Sequence, residues 1–265
     1  MGVEFTREGN VAKVGLNTPE TKNALGCDTL LELFRVWEEC RKDDAVRVVV
    51  FYSALPDIFC SGMDLRDVIP ILTGVRAPVT EGEKWLVSNE KAVGLAMLKY
   101  KDLDRPVIAA VNGYCLTGGF EMVMGCELRV ASDDAVFQMR ETTLGIMPMG
   151  GSNVFLPLQV GQTRALEILL TGNNFTAKTL HEWGFLNRVV PREKLMEDAL
   201  GLAERIAGNG PRSVRAMVRC SREIVGKSLE EAMKAEFMIA APVFMSEDAR
   251  EGVRAQKEKR KPVFK

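Results

Sequence analysis

The order of apolar and polar positions predicts a β-hairpin at the start of the chain. Two short segments, Val3–Arg7 and Val11–Leu16, contain β-branched residues and are expected to be extended. Gly9-Asn10 lies between them and is typical of a tight hairpin turn. The two segments should therefore pair as antiparallel strands.

A helix and then a buried strand are expected after the hairpin. Apolar side chains recur at i, i+3, i+4 and i+7, a helical spacing, at Leu30, Leu33, Phe34 and Trp37. Asp28 precedes most of this stripe and is predicted to be the N-cap of the helix. The segment Val46–Tyr52 (VRVVVFY) is short and rich in β-branched residues, which is typical of a strand that is buried on both faces.

Strands and helices continue to alternate as far as residue 190. The predicted strands are Val107–Val111, Leu128–Ala131, Val136–Met139 and Val189–Val190, and the predicted helices are Phe120–Gly125, Thr163–Leu170 and Lys178–Gly184. Gly172 is expected to end the second of these helices. This alternation predicts an α/β fold with parallel strands.

Only helices are expected beyond residue 190. They are predicted over Glu193–Gly208, Pro211–Gly226, Leu229–Ala240, and from the N-cap Ser246 toward Lys259. We therefore predict an α/β body over residues 1–200 and a helical region over residues 201–265. Within the body, Gly74–Glu83 (GVRAPVTEGE) contains glycine and proline without periodicity, so it is predicted to be a mobile loop.

Composition and charge exclude several classes of protein. The 265 residues are 46% hydrophobic and 27% charged, which excludes disorder as the main state. With 35 Lys and Arg against 36 Asp and Glu, the net charge of −1 gives no argument for a nucleic-acid or acidic-membrane partner. The first residues resemble no signal peptide and no apolar run could span a membrane, so a cytoplasmic location is expected. The six cysteines form no C-x-x-C pair and are predicted to be reduced thiols without a metal.

Three common catalytic or nucleotide-binding patterns fail in this sequence. Gly226-Lys227-Ser228 matches the end of a P-loop, but Ser221 stands where the upstream glycine is required. Glycine pairs are present, but no G-x-G-x-x-G motif. The sequence has one histidine, His181, and no G-x-S-x-G motif, so a Ser-His-Asp mechanism is not supported.

Chemistry is concentrated in three segments, Ile58–Leu65, Val111–Cys126 and Phe137–Gly151. In the first two, a strand leads into a glycine-containing turn, and exposed N–H groups at such a turn or helix start suit an anionic oxygen. Glu121 falls in the first turn of a predicted helix, and Glu141 follows a predicted strand. Taken singly, each feature also has an ordinary structural explanation, because glycine pairs form turns and a glutamate favours a helix start.

In their order and spacing, these segments resemble the crotonase (enoyl-CoA hydratase/isomerase) superfamily over nearly the whole chain. The matching landmarks are Asn23-Ala24-Leu25, Phe59–Leu65 (FCSGMDL), Pro106–Gly113 (PVIAAVNG), Gly118–Glu121 (GGFE), Glu141–Gly145 (ETTLG) and Ser246–Gly252 (SEDAREG). The resemblance implies a crotonase-like spiral of ββα turns with a C-terminal helical oligomerisation region. It also implies trimers, often paired into hexamers.

The resemblance implies acyl-CoA thioester substrates and neither a metal nor a separate cofactor. By analogy, the backbone N–H groups of Met63 and Gly118 hold the thioester oxygen, on which charge accumulates when an enolate forms. Backbone around Ala24, Met63, Asp64, Leu65 and Gly118 would contact coenzyme A. The C-terminal lysines Lys257, Lys259 and Lys261 are candidates for its phosphates, also across a subunit boundary.

Two glutamates at the positions of the family's acids favour a hydratase. Hydration needs one group that takes a proton from water and another that delivers a proton to the α carbon. By analogy, Glu121 positions and activates the water and Glu141 is the proton donor. We therefore expect an enoyl-CoA hydratase, a lyase that adds water across the 2,3 double bond.

Three departures from the hydratase pattern keep other crotonase activities open. Thr117 replaces a usual glycine, Arg140 replaces a usual proline next to Glu141, and Ser152 occupies a position that is commonly glycine. The alternatives are an enoyl-CoA isomerase, or a hydrolase or hydratase of a cyclic or aromatic acyl-CoA, for which the apolar segment Arg66–Tyr100 would form a roomy cover. A third alternative is a non-catalytic protein that binds acyl-CoA or RNA, which the two acids and the near-neutral charge argue against.

Overall fold

The computed structural model describes residues 2–100 and 103–264. Its strands in this part of the chain are β1 (Val3–Glu8), β2 (Val11–Leu16), β3 (Val48–Ser53), β4 (Ile58–Cys60), β5 (Val107–Val111), β6 (Tyr114–Leu116), β7 (Leu128–Ser132), β8 (Val136–Gln138), β9 (Asn174–Thr176) and β10 (Arg188–Val190).

The helices comprise a first group around the sheets and a second group at the C-terminus. They are α1 (Cys27–Lys42), α2 (Leu65–Leu72), α3 (Glu81–Ser88), α4 (Ala92–Ala96), α5 (Gly118–Met124), α6 (Ser152–Val160), α7 (Gln162–Thr171), α8 (Ala177–Glu182), α9 (Leu195–Ala207), α10 (Pro211–Glu223), α11 (Leu229–Phe244) and α12 (Glu247–Lys257). Within the described residues, no helix is long and apolar enough to cross a bilayer.

Two mixed sheets are built by successive pairs of strands. The larger sheet has the order β1-β2-β3-β5-β7-β10, and the smaller has the order β4-β6-β8-β9. All neighbours are parallel except β1–β2 and β8–β9. In each of the pairs β3–β4, β5–β6 and β7–β8, the first strand lies in the larger sheet and the second in the smaller sheet. A helical segment follows each pair. This repetition is the predicted α/β spiral of ββα turns, and the fold is confirmed.

The larger sheet is buried on both faces, as its apolar strands predicted. On one face, Val50 and Ile108 pack with Ala199 and Ala203 of α9. The opposite face contributes to the main core, in which five fully buried phenylalanines lie between the elements: Phe51, Phe59, Phe120, Phe137 and Phe185. With ring centroids 5.1–6.2 Å apart, edge-to-face contacts join Phe51 to Phe59, and a second set joins Phe120, Phe137 and Phe185.

Two local predictions were wrong, one because of contacts with distant residues and one because of a capping box within the predicted loop itself. Asp28 is not the N-cap of α1, since Gly26 holds that place. The Asp28 carboxylate instead accepts hydrogen bonds from Thr80 Oγ1 and Gly82 N, each at 2.9 Å. The predicted loop Gly74–Glu83 is also too long, because Thr80 and Glu83 form a capping box that starts α3 at Glu81.

The C-terminal helices largely follow the prediction. Ser246 caps α12 by accepting a hydrogen bond from Ala249 N at 3.2 Å, and Gly172 ends α7 in the left-handed conformation. The predicted end of α11 was wrong, since the helix continues through Pro242 to Phe244. In the tail, Arg260 and Val263 N fold back onto Glu251, which is 8% exposed.

Candidate active site

Met63 presents its backbone amide at the end of the loop that follows β4. In the parallel bridge between Leu25 and Met63, Leu25 N donates to Gly62 O at 2.8 Å and Asp64 N donates to Leu25 O at 3.1 Å. The bridge therefore uses the groups on either side of Met63 and leaves its own N–H pointing away. Among the described residues, this N–H meets no acceptor.

Gly118 presents a second backbone amide next to the first, and within residues 2–100 and 103–264 it too has no acceptor. It is the first residue of α5, where the geometry of a helix leaves N–H groups without an intrahelical partner. A Cβ on Gly118 would lie 3.0 Å from Met63 N, so the two backbones approach as closely as a glycine permits. The structure thus brings the predicted pair together, with both amides at one gap.

Thr117 adopts a strained conformation beside these amides. Its φ of 45° and ψ of −116° fall where glycine is usually required, at a cost of about 1–3 kcal/mol for other residues. Thr117 N donates to Gln138 O at 2.7 Å, and its side chain lies against Gly62 so closely that a Cβ there would overlap it. The departure from glycine therefore adds a side chain between the two loops.

Glu121 is buried below the gap in the first turn of α5. Only 3% of it is exposed. Its Oε1 accepts hydrogen bonds from Ser152 N at 3.1 Å and from Ser152 Oγ at 2.9 Å, and Lys99 Nζ donates to its backbone carbonyl. Burial raises the pKa of Glu121, while the Ser152 donors and the Lys99 charge oppose this. The carboxylate is thus held in one orientation.

Glu141 lies close enough to Glu121 for the two charges to interact. It starts the 3₁₀ turn after β8 and is 8% exposed. Burial raises the pKa of Glu141 to about 7, and the negative charge of Glu121 adds to the effect. Its Oε2 is buried and, within residues 2–100 and 103–264, has no hydrogen-bond partner. A carboxyl in this environment can carry a proton near neutral pH.

Arg140 does not neutralise this acid through a direct contact. Although it precedes Glu141, its side chain is exposed. In the part of the chain that the structure describes, the two form no ion pair, and the guanidinium has only a minor opposing effect on the Glu141 pKa. Adjacent positions thus face different surroundings.

Asn23 holds the loops of the site together, a role that was not predicted from the sequence. Its buried side chain accepts from Thr18 N at 2.8 Å and donates to Ser53 Oγ at 2.9 Å and Phe59 O at 3.0 Å. It has a φ of 57°. An asparagine between the second predicted strand and the first predicted helix was the available signal, because asparagine tolerates this conformation better than most residues.

The candidate coenzyme A positions lie on the same loops. Ala24 immediately precedes the residue that bridges to Met63, and Leu65 is 42% exposed at the start of α2. The Asp64 carboxylate caps α2 by accepting from Arg66 N at 3.0 Å, so its side chain has a structural task. The lysines Lys257, Lys259 and Lys261 are all exposed at the end of α12 and in the tail.

The predicted cover over the acyl end forms three helices, α2 to α4. Trp85 of α3 stacks on Phe34 of α1 with ring centroids 5.1 Å apart, which anchors the segment to the body. Arg76 pairs with Asp67 and Glu83 and closes the turn between α2 and α3. Part of the segment is thus packed, while apolar side chains of α2 remain exposed.

The other titratable candidates have structural surroundings. Nδ1 of His181 pairs with Leu186 O at 2.8 Å. All six cysteines are free thiols, five of them buried. In the described ranges, no group of His, Cys, Asp and Glu could hold a metal ion.

Comparison with known proteins gives matches along the full length of the chain. The family model for enoyl-CoA hydratase/isomerase matches residues 6–265. An enoyl-CoA hydratase of Mycobacterium tuberculosis is 36% identical over 258 residues, covering 97% of this chain and 94% of that one. A carnitinyl-CoA dehydratase of Proteus mirabilis is 33% identical, covering 99% and 98%. The crystal structure of an enoyl-CoA hydratase from Bacillus anthracis superposes with a TM-score of 0.89 at 32% identity, covering 100% and 99%.

Proposed function

The chain belongs to the enoyl-CoA hydratase/isomerase family, and we propose that it is a hydro-lyase that adds water across the 2,3 double bond of a 2-enoyl-CoA thioester. The observation that carries this proposal is the pair of buried carboxylates, Glu121 and Glu141, beside two free backbone amides. Two neighbouring acids with different surroundings are what the addition of water and a proton requires.

The amides of Met63 and Gly118 bind the thioester oxygen in this mechanism. As water attacks C3, electrons move toward the thioester and an enolate oxygen develops at the gap between the two N–H groups. Preorganised donors stabilise this charge, and each is typically worth about 3–4 kcal/mol in the transition state. Because the donors belong to the backbone, the close approach of the two loops matters more than their side chains.

The two carboxyl groups divide the proton transfers. Glu121 accepts a proton from the attacking water, whose oxygen forms the bond to C3. Glu141 delivers a proton to C2 and restores the thioester, which yields the 3-hydroxyacyl-CoA. The hydrogen bonds from Ser152 favour the charged form of Glu121. Burial of Glu141, whose Oε2 has no partner among the described residues, favours its protonated form.

Coenzyme A is proposed to lie along the loops of Ala24, Asp64 and Leu65, with Lys257, Lys259 or Lys261 near its phosphates. The loop positions are supported by the bridge that places Leu25 beside Met63. The lysines are supported by their exposure and positive charge alone. A cytoplasmic location is also proposed, because six free thiols suit a reducing compartment.

A homotrimer or a hexamer is the proposed assembly. The support is a row of exposed apolar side chains on α11, a surface that isolated chains rarely leave open: Leu229, Met233, Phe237, Met238 and Phe244. Light scattering after size-exclusion chromatography should give three or six times the mass of one chain. A monomer would contradict this assembly.

Ultraviolet absorbance of the conjugated enoyl thioester tests the proposed reaction. Purified protein is incubated with short, long, aromatic and cyclic 2-enoyl-CoAs, with Glu141→Gln as the inactive control. Loss of the band together with a product heavier by one water is the expected result. Loss of the band without a change of mass would indicate isomerisation instead, and an unchanged band across the panel would reject hydration.

A further inference from the structure

Ser152 donates two hydrogen bonds to the carboxylate of Glu121, although the proposed reaction assigns it no role. It is fully buried at the start of α6, directly after Gly151, whose φ of 103° turns the chain into the helix. Both of its donors, N at 3.1 Å and Oγ at 2.9 Å, reach the same oxygen, Oε1 of Glu121. Glycine at this position would keep the amide but lose the hydroxyl.

The two carboxylates consequently differ in their hydrogen bonds. Oε1 of Glu121 receives two donors, while Oε2 of Glu141 is buried without one in the described part of the chain. The charged groups around the pair are few. Lys99 contacts the carbonyl of Glu121, and Arg140 lies exposed beside Glu141. The backbone amide of Gly150 and the charge of Lys99 also favour the charged form of Glu121, and Ser152 adds a side-chain hydrogen bond to its carboxylate.

With hydration as the proposed reaction, we infer that Ser152 is a positioning residue that gives the two carboxylates separate tasks, an inference that rests on that function. By occupying Oε1, it leaves Oε2 of Glu121 to receive the proton of the attacking water. Oε2 lies against Gly150, where a Cβ would overlap it, so the space around this oxygen depends on a glycine as well.

The hydroxyl also acts on the charge of Glu121. A hydrogen bond to a carboxylate stabilises its charged form, and the loss of such a donor raises the pKa of the acid. Glu121 is the base of the reaction and must be ionised to work. Without the Ser152 hydroxyl, the enzyme should therefore need a higher pH to reach full activity.

The pH dependence of kcat/KM in Ser152→Ala tests the inference, with Ser152→Gly as a second variant. Ser221→Ala is the matched control, because it removes a hydroxyl that donates to a backbone carbonyl, Val218 O, at 2.9 Å in α10. We expect the acidic limb of the profile to move upward by about one pH unit in both Ser152 variants. At pH values on the acidic limb, this shift lowers kcat/KM about tenfold. KM should stay unchanged, and the pH profile of Ser221→Ala should match that of the wild type.

A uniform loss of rate at every pH, with the limb unmoved, would overturn the inference and reduce Ser152 to a packing residue. A titration of the free protein separates this result from a failure of the proposed function. In protein labelled with ¹³C at glutamate carboxyls, the signal absent from Glu121→Gln reports Glu121 without any substrate. Its midpoint should rise in Ser152→Ala even if no enoyl-CoA is hydrated, and an equal midpoint in both proteins refutes the inference.

Discussion

Glu141→Gln should make the folded protein more stable at alkaline pH, although it removes a catalytic acid. Glu141 is 8% exposed, and its Oε2 has no partner among the described residues. Burial raises its pKa from 4.5 to about 7. The folded protein therefore binds this proton more tightly than the unfolded chain does, and stability is greatest below pH 4.5 and falls as the pH rises through 7. Glutamine fills the same space without a charge.

The size of the effect follows from the two pKa values. They differ by about 2.5, and each pKa unit corresponds to about 1.4 kcal/mol, so a charged Glu141 costs about 3 kcal/mol of unfolding free energy above pH 7. The advantage of Glu141→Gln should thus be about 3 kcal/mol at pH 8 and about 1 kcal/mol at pH 5. Urea denaturation at both pH values and at one protein concentration measures it, because oligomer stability depends on concentration.

Glu83→Gln is a control of opposite sign. Amide hydrogen bonds from Val79 and Thr80, together with Arg76, lower the pKa of Glu83 to about 2, so its charge stabilises the fold above pH 4.5 and this contribution is lost as the pH falls through 2. Glu83→Gln should therefore lose stability at both pH 5 and pH 8. If Glu141→Gln is no more stable than wild type at pH 8, the assignment of Glu141 as a buried, uncompensated acid is wrong.

Three further substitutions test the remaining geometry. Gly118→Ala places a Cβ 3.0 Å from Met63 N, and we expect kcat to fall about 10²–10³-fold with thermal unfolding nearly unchanged; full activity would reject the gap as the oxyanion site. Asn23→Ala leaves buried groups of three segments unpaired and should cost about 3–5 kcal/mol in urea denaturation, whereas a cost below 1 kcal/mol would contradict its bridging role. Thr117→Gly relieves a conformation worth about 1–3 kcal/mol, so the melting temperature should stay equal or rise, and a clear fall would argue against strain.

Elements with a strong local pattern could be predicted from the sequence, and weakly patterned ones could not. The β1–β2 hairpin, β3, β5 and the C-terminal helices show clear periodicity or turn signals, and their positions agree within a few residues. Strands β4, β6 and β9 are three residues long and were not predicted, although β8 and β10 are equally short and were. Helix α6 was missed because it follows a run rich in glycine and contains Pro157.

Within the candidate site, the sequence determined which residues are available but not what surrounds them. The order of the glycine turns and the two glutamates was sufficient to recognise the family and to name Met63, Gly118, Glu121 and Glu141. Their different properties depend on contacts across the fold. Ser152 lies 31 positions from Glu121 in the chain, yet its hydroxyl is 2.9 Å from the carboxylate.

The tertiary structure alone decided the electrostatics and the shape of the oxyanion gap. Burial sets the pKa of a carboxyl, and burial depends on packing between segments that are distant in the chain, so no local pattern distinguishes Glu141 from an ordinary helix-start glutamate. The same reason explains Asp28. Aspartate is a common N-cap residue, but this carboxylate accepts hydrogen bonds from Thr80 and Gly82 instead. Periodicity and turn residues are local features and could be recognised in the sequence. The distances between the site residues depend on the packing of the two sheets and their helices, which only the tertiary structure shows.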